Sequence, residues 1–215
     1  MRLYSQSRNS AGWRVRIALA LKRVDYQYVA VGSLAPGEYR RINPQGLMPA
    51  LEIDGRIVAQ SGAILELIEE RHPDPPLLPR DPVARAECRA FAGLIAADLH
   101  PINNNRIRKY LAGAMGRPPA QLDAWYRHWV AVGLASLEET LARRGGPRPF
   151  CFGAAATIAD LHLVPQLYNA RRFGCDLRPY PMLVAAETAC RGVDAFRASA
   201  PERMPDHDGR DPPWA

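Results

Sequence analysis

Five prolines fall within the ten residues from Pro73 to Pro82. Proline has no backbone N–H and a fixed φ, so neither a helix interior nor a central strand can run through this stretch. It is expected to be a linker, and the chain reads differently on its two sides. Before it, strand-like runs alternate with helical patterns. Arg2-Leu3-Tyr4 reads as a strand, Trp13, Ile17 and Leu21 recur at helical spacing, and Tyr26 to Ala30 reads as a second strand, parallel to the first because a helix separates them. Arg14 and Lys22 fall on the other side of that helix from its apolar positions. Glu38 to Ile42 suits a short helix. Asp54-Gly55-Arg56 between two strand-like runs is a hairpin signal, and Ser61 begins a helix that ends before Pro73. The order is βαβαββα.

Beyond Pro82 the strand signals vanish. Ala84, Cys88, Phe91, Ile95, Leu99 and Ile102 mark one long helical face, and Leu122, Tyr126, Trp129, Gly133 and Leu137 mark another. Thr157-Ile158-Ala159-Asp160 starts a third helix with a capping box in which Asp replaces the usual Glu or Gln. The expected fold class is therefore α/β plus all-α: a mixed domain over 1–72, the linker over 73–82, an all-helical domain over 83–200, and a loose C-terminal tail over 201–215, which holds four prolines.

Composition narrows the function classes. With 47% hydrophobic and 23% charged residues this is an ordinary globular chain. No apolar run approaches the roughly 20 residues that span a bilayer, and the N-terminus lacks the layout of a signal peptide. A cytoplasmic protein without a membrane partner is expected. The net charge is +6, yet basic residues never run beyond two in a row, so no nucleic-acid partner is expected. Cys88, Cys151, Cys175 and Cys190 are far apart with no CxxC pair, which indicates reduced core thiols rather than a metal site or a disulfide framework.

Chemistry is expected where Ser7-Arg8-Asn9-Ser10-Ala11-Gly12 joins the first strand to the first helix. Free N–H groups and the positive end of the helix dipole meet there, which favours a bound anion or thiolate. Asn9 and Ser10 can cap the helix or touch a ligand. Ser61, at the start of a later helix, can likewise be a cap or hold a carboxylate. His100 and Asn104 are four residues apart and read as sharing a helix face, with Asn103 beside them, although Pro101 disturbs the helical phase. Arg106 falls near the apolar stripe, where an arginine needs an anionic partner.

In order along the chain, SRNSAGWRVRIALALKRVDYQYV, NPQGLMPAL, QSGAILELIEERHP, LLPRDP, HPINNNRIRKYL and TIADLHLVPQLYNARRF resemble the glutathione transferase superfamily and, within it, the zeta class. The resemblance covers nearly the whole chain. HPINN is most similar to bacterial members that isomerise maleylacetoacetate or maleylpyruvate. The resemblance implies the glutathione transferase fold, with a thioredoxin-like N-terminal domain and an all-helical C-terminal one, and a homodimer. It also implies an enzyme: an isomerase that takes a small maleyl dicarboxylate to its fumaryl isomer with glutathione as cofactor. Thiolate adds to the cis double bond, the resulting single bond rotates, and thiolate is expelled, while arginines and helix N–H groups stabilise the negative charge. A general glutathione transferase or peroxidase is one alternative. A non-catalytic glutathione-binding or regulatory protein is another, suggested by Asn9, which stands where the class has serine.

Carried over residue by residue, the resemblance assigns the catalytic, thiolate-stabilising role to Ser10 or Asn9, with Ala11 next to them in the glutathione site. It implies a cis bond between Met48 and Pro49, turning the Met48 backbone towards the cysteinyl part of glutathione. Gln60 and Ser61 are implied to hold the γ-glutamyl end, and His100 and Asn104 to line the cleft from the helical domain. Arg8, Arg106 and Arg172 are implied to clamp the substrate carboxylates, a role that suits paired guanidinium forks. Arg171 reads as a solvated or helix C-terminal charge.

Overall fold

The computed structural model describes residues 1–146, 148–210, 213 and 214. They sort into two units, one made of Met1–Leu77 with the segment from Arg191 onward, the other of Leu78–Cys190. The first unit carries β1 (Arg2–Ser5), α1 (Ser10–Leu21), β2 (Gln27–Ala30), α2 (Glu38–Ile42), β3 (Ala50–Ile53), β4 (Arg56–Ala59) and α3 (Ser61–Arg71), in the expected order. Its sheet runs β2-β1-β3-β4. β1 is parallel to β2 and antiparallel to β3, so Leu3 lies between Tyr28 and Leu51. The β3–β4 hairpin turns on Asp54 and Gly55, at φ 50° and 72°. Positive φ at both turn residues matches the right-handed twist of paired strands, which is why Asp-Gly is a reliable signal.

α1 departs from the amphipathic expectation. Every residue from Ser10 to Leu19 is buried, Arg14 and Arg16 included. A surface helix is covered on one face, whereas α1 packs against α3 and also against α10 (Asp194–Ala198). Its cations therefore need internal acceptors. Arg16 donates from Nε to the Ser199 carbonyl, from Nη1 to that of Gln6 and from Nη2 to that of Ser7, at 3.0, 3.2 and 2.8 Å. Lys22 Nζ pairs with Glu69 at 2.7 Å and donates to the carbonyls of His72 and Pro75. Glu69 also accepts the Leu77 N–H. The expected 73–82 linker is thus clamped over its first half, and the boundary between units falls after Leu77.

The C-terminal boundaries need a larger correction. The expected helical domain ends at Cys190 rather than at 200, and the segment expected to be a loose tail is docked on the first unit. Trp214 is buried edge-on against Trp13, ring centroids 5.5 Å apart. Asp206 accepts the Ser7 N–H at 3.1 Å and the Tyr28 hydroxyl at 2.9 Å. Proline and charge exclude regular helix or strand but not docking, which here needs only one indole and a few acceptors.

The second unit holds α4 (Pro82–Gly93), a π-helical stretch over Leu94–Leu99, α5 (His100–Ile102), α6 (Asn105–Gly113), α7 (Pro119–Arg143), α8 (Ile158–Arg172) and α9 (Pro181–Arg191). The widened turn directly precedes Pro101, which has no N–H to donate and crowds the carbonyl of Ala97. Cys88, Phe91, Ile95 and Leu99 are buried as the stripe implied. A Cβ on Gly133 would lie 2.9 Å from Leu99 Cδ2, so glycine lets α7 approach closely there. The capping box forms around buried Asp160, which accepts from the Thr157 N–H, the Thr157 hydroxyl and the Cys151 N–H at 2.8, 3.0 and 2.9 Å. Cys88, Cys151 and Cys190 are buried and Cys175 half-buried, all as free thiols. Among the described residues no helix is long and apolar enough to cross a membrane.

Candidate functional site

Strand register gathers the first unit's candidates at one end of its sheet. Tyr4 pairs with Ala50 and Ala50 with Ala59, so the turn after β1, the Met48–Pro49 entry to β3 and the Gln60–Ser61 exit from β4 share one edge. Asn9 is the N-cap of α1, and its Oδ1 accepts the Gly12 N–H at 2.6 Å. Its oxygen is committed to the helix, leaving the amide N–H₂ as its donor group. Ser10 and Ala11, the first two residues of α1, are buried. Gly12 reads in the sequence only as part of the turn, yet a Cβ there would fall 1.9 Å from Ser5 Oγ and 2.7 Å from Asn9 Oδ1. Only glycine allows the helix to start this close to β1.

The Met48–Pro49 bond is cis. Met48 packs on the cluster of Tyr4, Tyr39 and Ala50. Gln60 adopts φ 71°, ψ 119°, a backbone region that non-glycine residues avoid and that concentrates at ligand clamps. Its Nε2 donates to Gln45 Oε1 at 2.8 Å. Gln60, the N-cap of α3, makes no side-chain cap hydrogen bond among the described residues, so the first N–H groups of α3 are available to a carboxylate. Ser61 Oγ accepts from Arg14 Nη1 at 3.3 Å. Arg8 already has a carboxylate partner, Asp208 of the docked C-terminal segment, at 2.7 Å.

In the second unit the helix breaks where the sequence reading ran through. Asn104 is extended at φ −63°, ψ 149° and caps α6, its Oδ1 accepting the Arg106 N–H at 3.0 Å. His100 and Asn104 therefore do not share a helix face: an Asn side chain that can bond its own backbone favours a new helix start over continuation. The break also resets the helical phase and leaves Arg106 exposed, off the apolar stripe. Asn103 is buried, with neither amide atom hydrogen-bonded among the described residues. Arg172, the last residue of α8, donates to Asn169 Oδ1 at 3.2 Å and lies 5.8 Å from the ring centroids of both Tyr168 and Phe173. Arg171 is an exposed charge in the last turn of α8, as expected, and it is also paired. It forks onto Glu187, 1% exposed, at 2.7 and 2.5 Å.

One edge of the first unit thus presents two helix N-termini and a cis-proline loop, an arrangement that can take an anionic peptide-like ligand and a thiolate. Residues 6–76 match the family model described as glutathione S-transferase, N-terminal domain. The chain is 43% identical to a maleylpyruvate isomerase of Ralstonia sp. over 96% of its length and 99% of the relative's. Among solved structures it is similar to a maleylpyruvate isomerase in holo form, described as a bacterial glutathione S-transferase of the zeta class, with a TM-score of 0.91, 42% identity, and 96% and 99% of the two chains covered. A maleylacetoacetate isomerase of Anaeromyxobacter dehalogenans 2CP-1, solved with glutathione in its active site, gives a TM-score of 0.85 at 44% identity over 96% and 97%. Identity at this level along almost the full length of both partners means common descent, and the chain belongs to the zeta-class glutathione transferase family that includes the maleylpyruvate and maleylacetoacetate isomerases.

Proposed function

We propose that this protein is a glutathione-dependent isomerase that converts a maleyl dicarboxylate, maleylacetoacetate or maleylpyruvate, to its fumaryl isomer. The observation that carries the reading is the shared edge of the first unit, where the α1 N-terminus, cis Pro49 and the uncapped α3 N-terminus lie side by side. The residues present fit glutathione. Ser61 and the α3 amides suit its γ-glutamyl carboxylate, the Met48 backbone its cysteinyl part, and Ser10 or the Asn9 amide, with Ala11 beside them, its sulfur. His100 and Asn104 are proposed as further glutathione contacts.

When bound, glutathione supplies a sulfur nucleophile that adds to the cis double bond and leaves unchanged after rotation. The chain's part is electrostatic. Donors at the α1 N-terminus keep the sulfur ionised, and Arg172, Arg8 and Arg106 are proposed to hold the two substrate carboxylates and the charge that develops between them. Substrate exchanges places with Asp208 on Arg8. The proposal includes a homodimer in the cytoplasm, as resemblance to the class implies, and light scattering at micromolar protein reads its mass.

Turnover of maleylacetoacetate and maleylpyruvate, compared with conjugation of a chlorinated aromatic electrophile, separates an isomerase from a general transferase. Arg172→Ala is expected to lower kcat/KM for the dicarboxylate at least tenfold, or ~1.4 kcal/mol, with glutathione affinity barely changed. Intact isomerisation in that variant, or equal loss for both ligands, refutes the clamp.

A further inference from the structure

Arg14 and Arg16 lie two residues apart on α1, 1% and 0% exposed, and differ in what they reach. Arg16 is complete, with a backbone carbonyl on each of its three nitrogens. Arg14 is not. Nη1 donates to Ser61 Oγ, while Nε and Nη2, both fully covered, have no hydrogen-bond partner among the described residues. Burial pulls the pKa of its guanidinium down to about 9, with no opposing charge among the described residues. A buried cation without a counter-ion is costly. This one lies against the uncapped N-terminus of α3, an 11-residue helix with no acidic residue in its first turn.

The contact also decides how Ser61 is used. A hydroxyl that accepts from Arg14 turns its own O–H away from α1, to donate elsewhere. We infer that Arg14 is a positioning residue for the glutamyl carboxylate of glutathione: it fixes the Ser61 hydroxyl as a donor to that group and adds a positive charge behind it. Arg14 touches no ligand itself, and the inference rests on the glutathione reading above.

The test uses the full chain and calorimetric titration with two peptides, glutathione and 4-aminobutanoyl-Cys-Gly, which lacks only the glutamyl α-carboxylate. Wild type is expected to prefer glutathione. Arg14→Gln is expected to weaken glutathione roughly 20-fold, the scale of one hydrogen bond to a charged group, and to leave the truncated peptide's affinity unchanged. Because Arg14 acts through Ser61, adding Ser61→Ala to Arg14→Gln should cost much less than it does in wild type. Equal weakening of both peptides, or unchanged glutathione affinity, overturns the proposal. If circular dichroism shows Arg14→Gln unfolded, Ser61→Ala decides: undiminished preference for glutathione overturns it, and a collapsed preference supports it. Wild type that binds neither peptide overturns the glutathione reading and this proposal together, whereas the other failures strike Arg14 alone.

Discussion

Asp160→Ala is expected to lower the unfolding free energy by about 3–5 kcal/mol, because it strands three buried donors whose loss costs about 1–3 kcal/mol each before relaxation. The Thr157 N–H and hydroxyl and the Cys151 N–H all end on this one carboxylate. The change removes the cap of α8 and also the tie to the loop before it. Thermal unfolding followed by circular dichroism should show a fall on the order of 10 °C, at about 2–4 °C per kcal/mol for a chain of this size. Asp160→Asn keeps an acceptor oxygen and should fall less. A melting point for Asp160→Ala within about 3 °C of wild type would show that the cap is dispensable.

The second large effect concerns the sulfur. If Ser10 is its donor, Ser10→Ala should slow isomerisation on the order of 100-fold, as for removal of one preorganised donor from a site of developing charge. Asn9→Ala should slow it less, since the Asn9 oxygen serves the helix through Gly12. Its signature should instead be a loss of about 1 kcal/mol in stability, that of an N-cap. Single-turnover rates and melting curves on both variants separate the two roles. An Asn9→Ala variant more crippled than Ser10→Ala would move the sulfur contact to Asn9 and make sense of asparagine where the class has serine.

What could be read from the sequence was local. Asp54-Gly55 fixes its own hairpin, a helix between two strands makes them parallel, and five prolines end one pattern before the next begins. The places of the polar turn after β1, Pro49 and Ser61 were legible because each sits at an element's start, while the cis bond at Pro49 followed from family resemblance rather than from its neighbours in the chain. The misses were contacts with distant segments or losses of phase. Arg14 and Lys22 fall opposite the apolar face of α1, yet both are buried, and α10, which also packs on α1, comes from the far end of the chain. Asp208 lies in the segment read as a loose tail, yet it pairs with Arg8. His100 and Asn104 were aligned on a helix that Asn104 itself interrupts.

The docked C-terminal segment has a consequence for synthesis. The unit bearing the polar turn after β1 comprises Met1–Leu77 and the stretch from Arg191 onward, so its earlier part is completed only by residues made after the whole intervening unit. Until Ser199, Asp206 and Trp214 emerge, Arg16 lacks one acceptor, the Ser7 amide lacks its carboxylate and Trp13 lacks its cover. Translation at about 5–20 residues per second makes that wait on the order of ten seconds. Throughout it the nascent α1 presents apolar surface to chaperones, while the intervening helical unit, continuous in sequence, is free to fold.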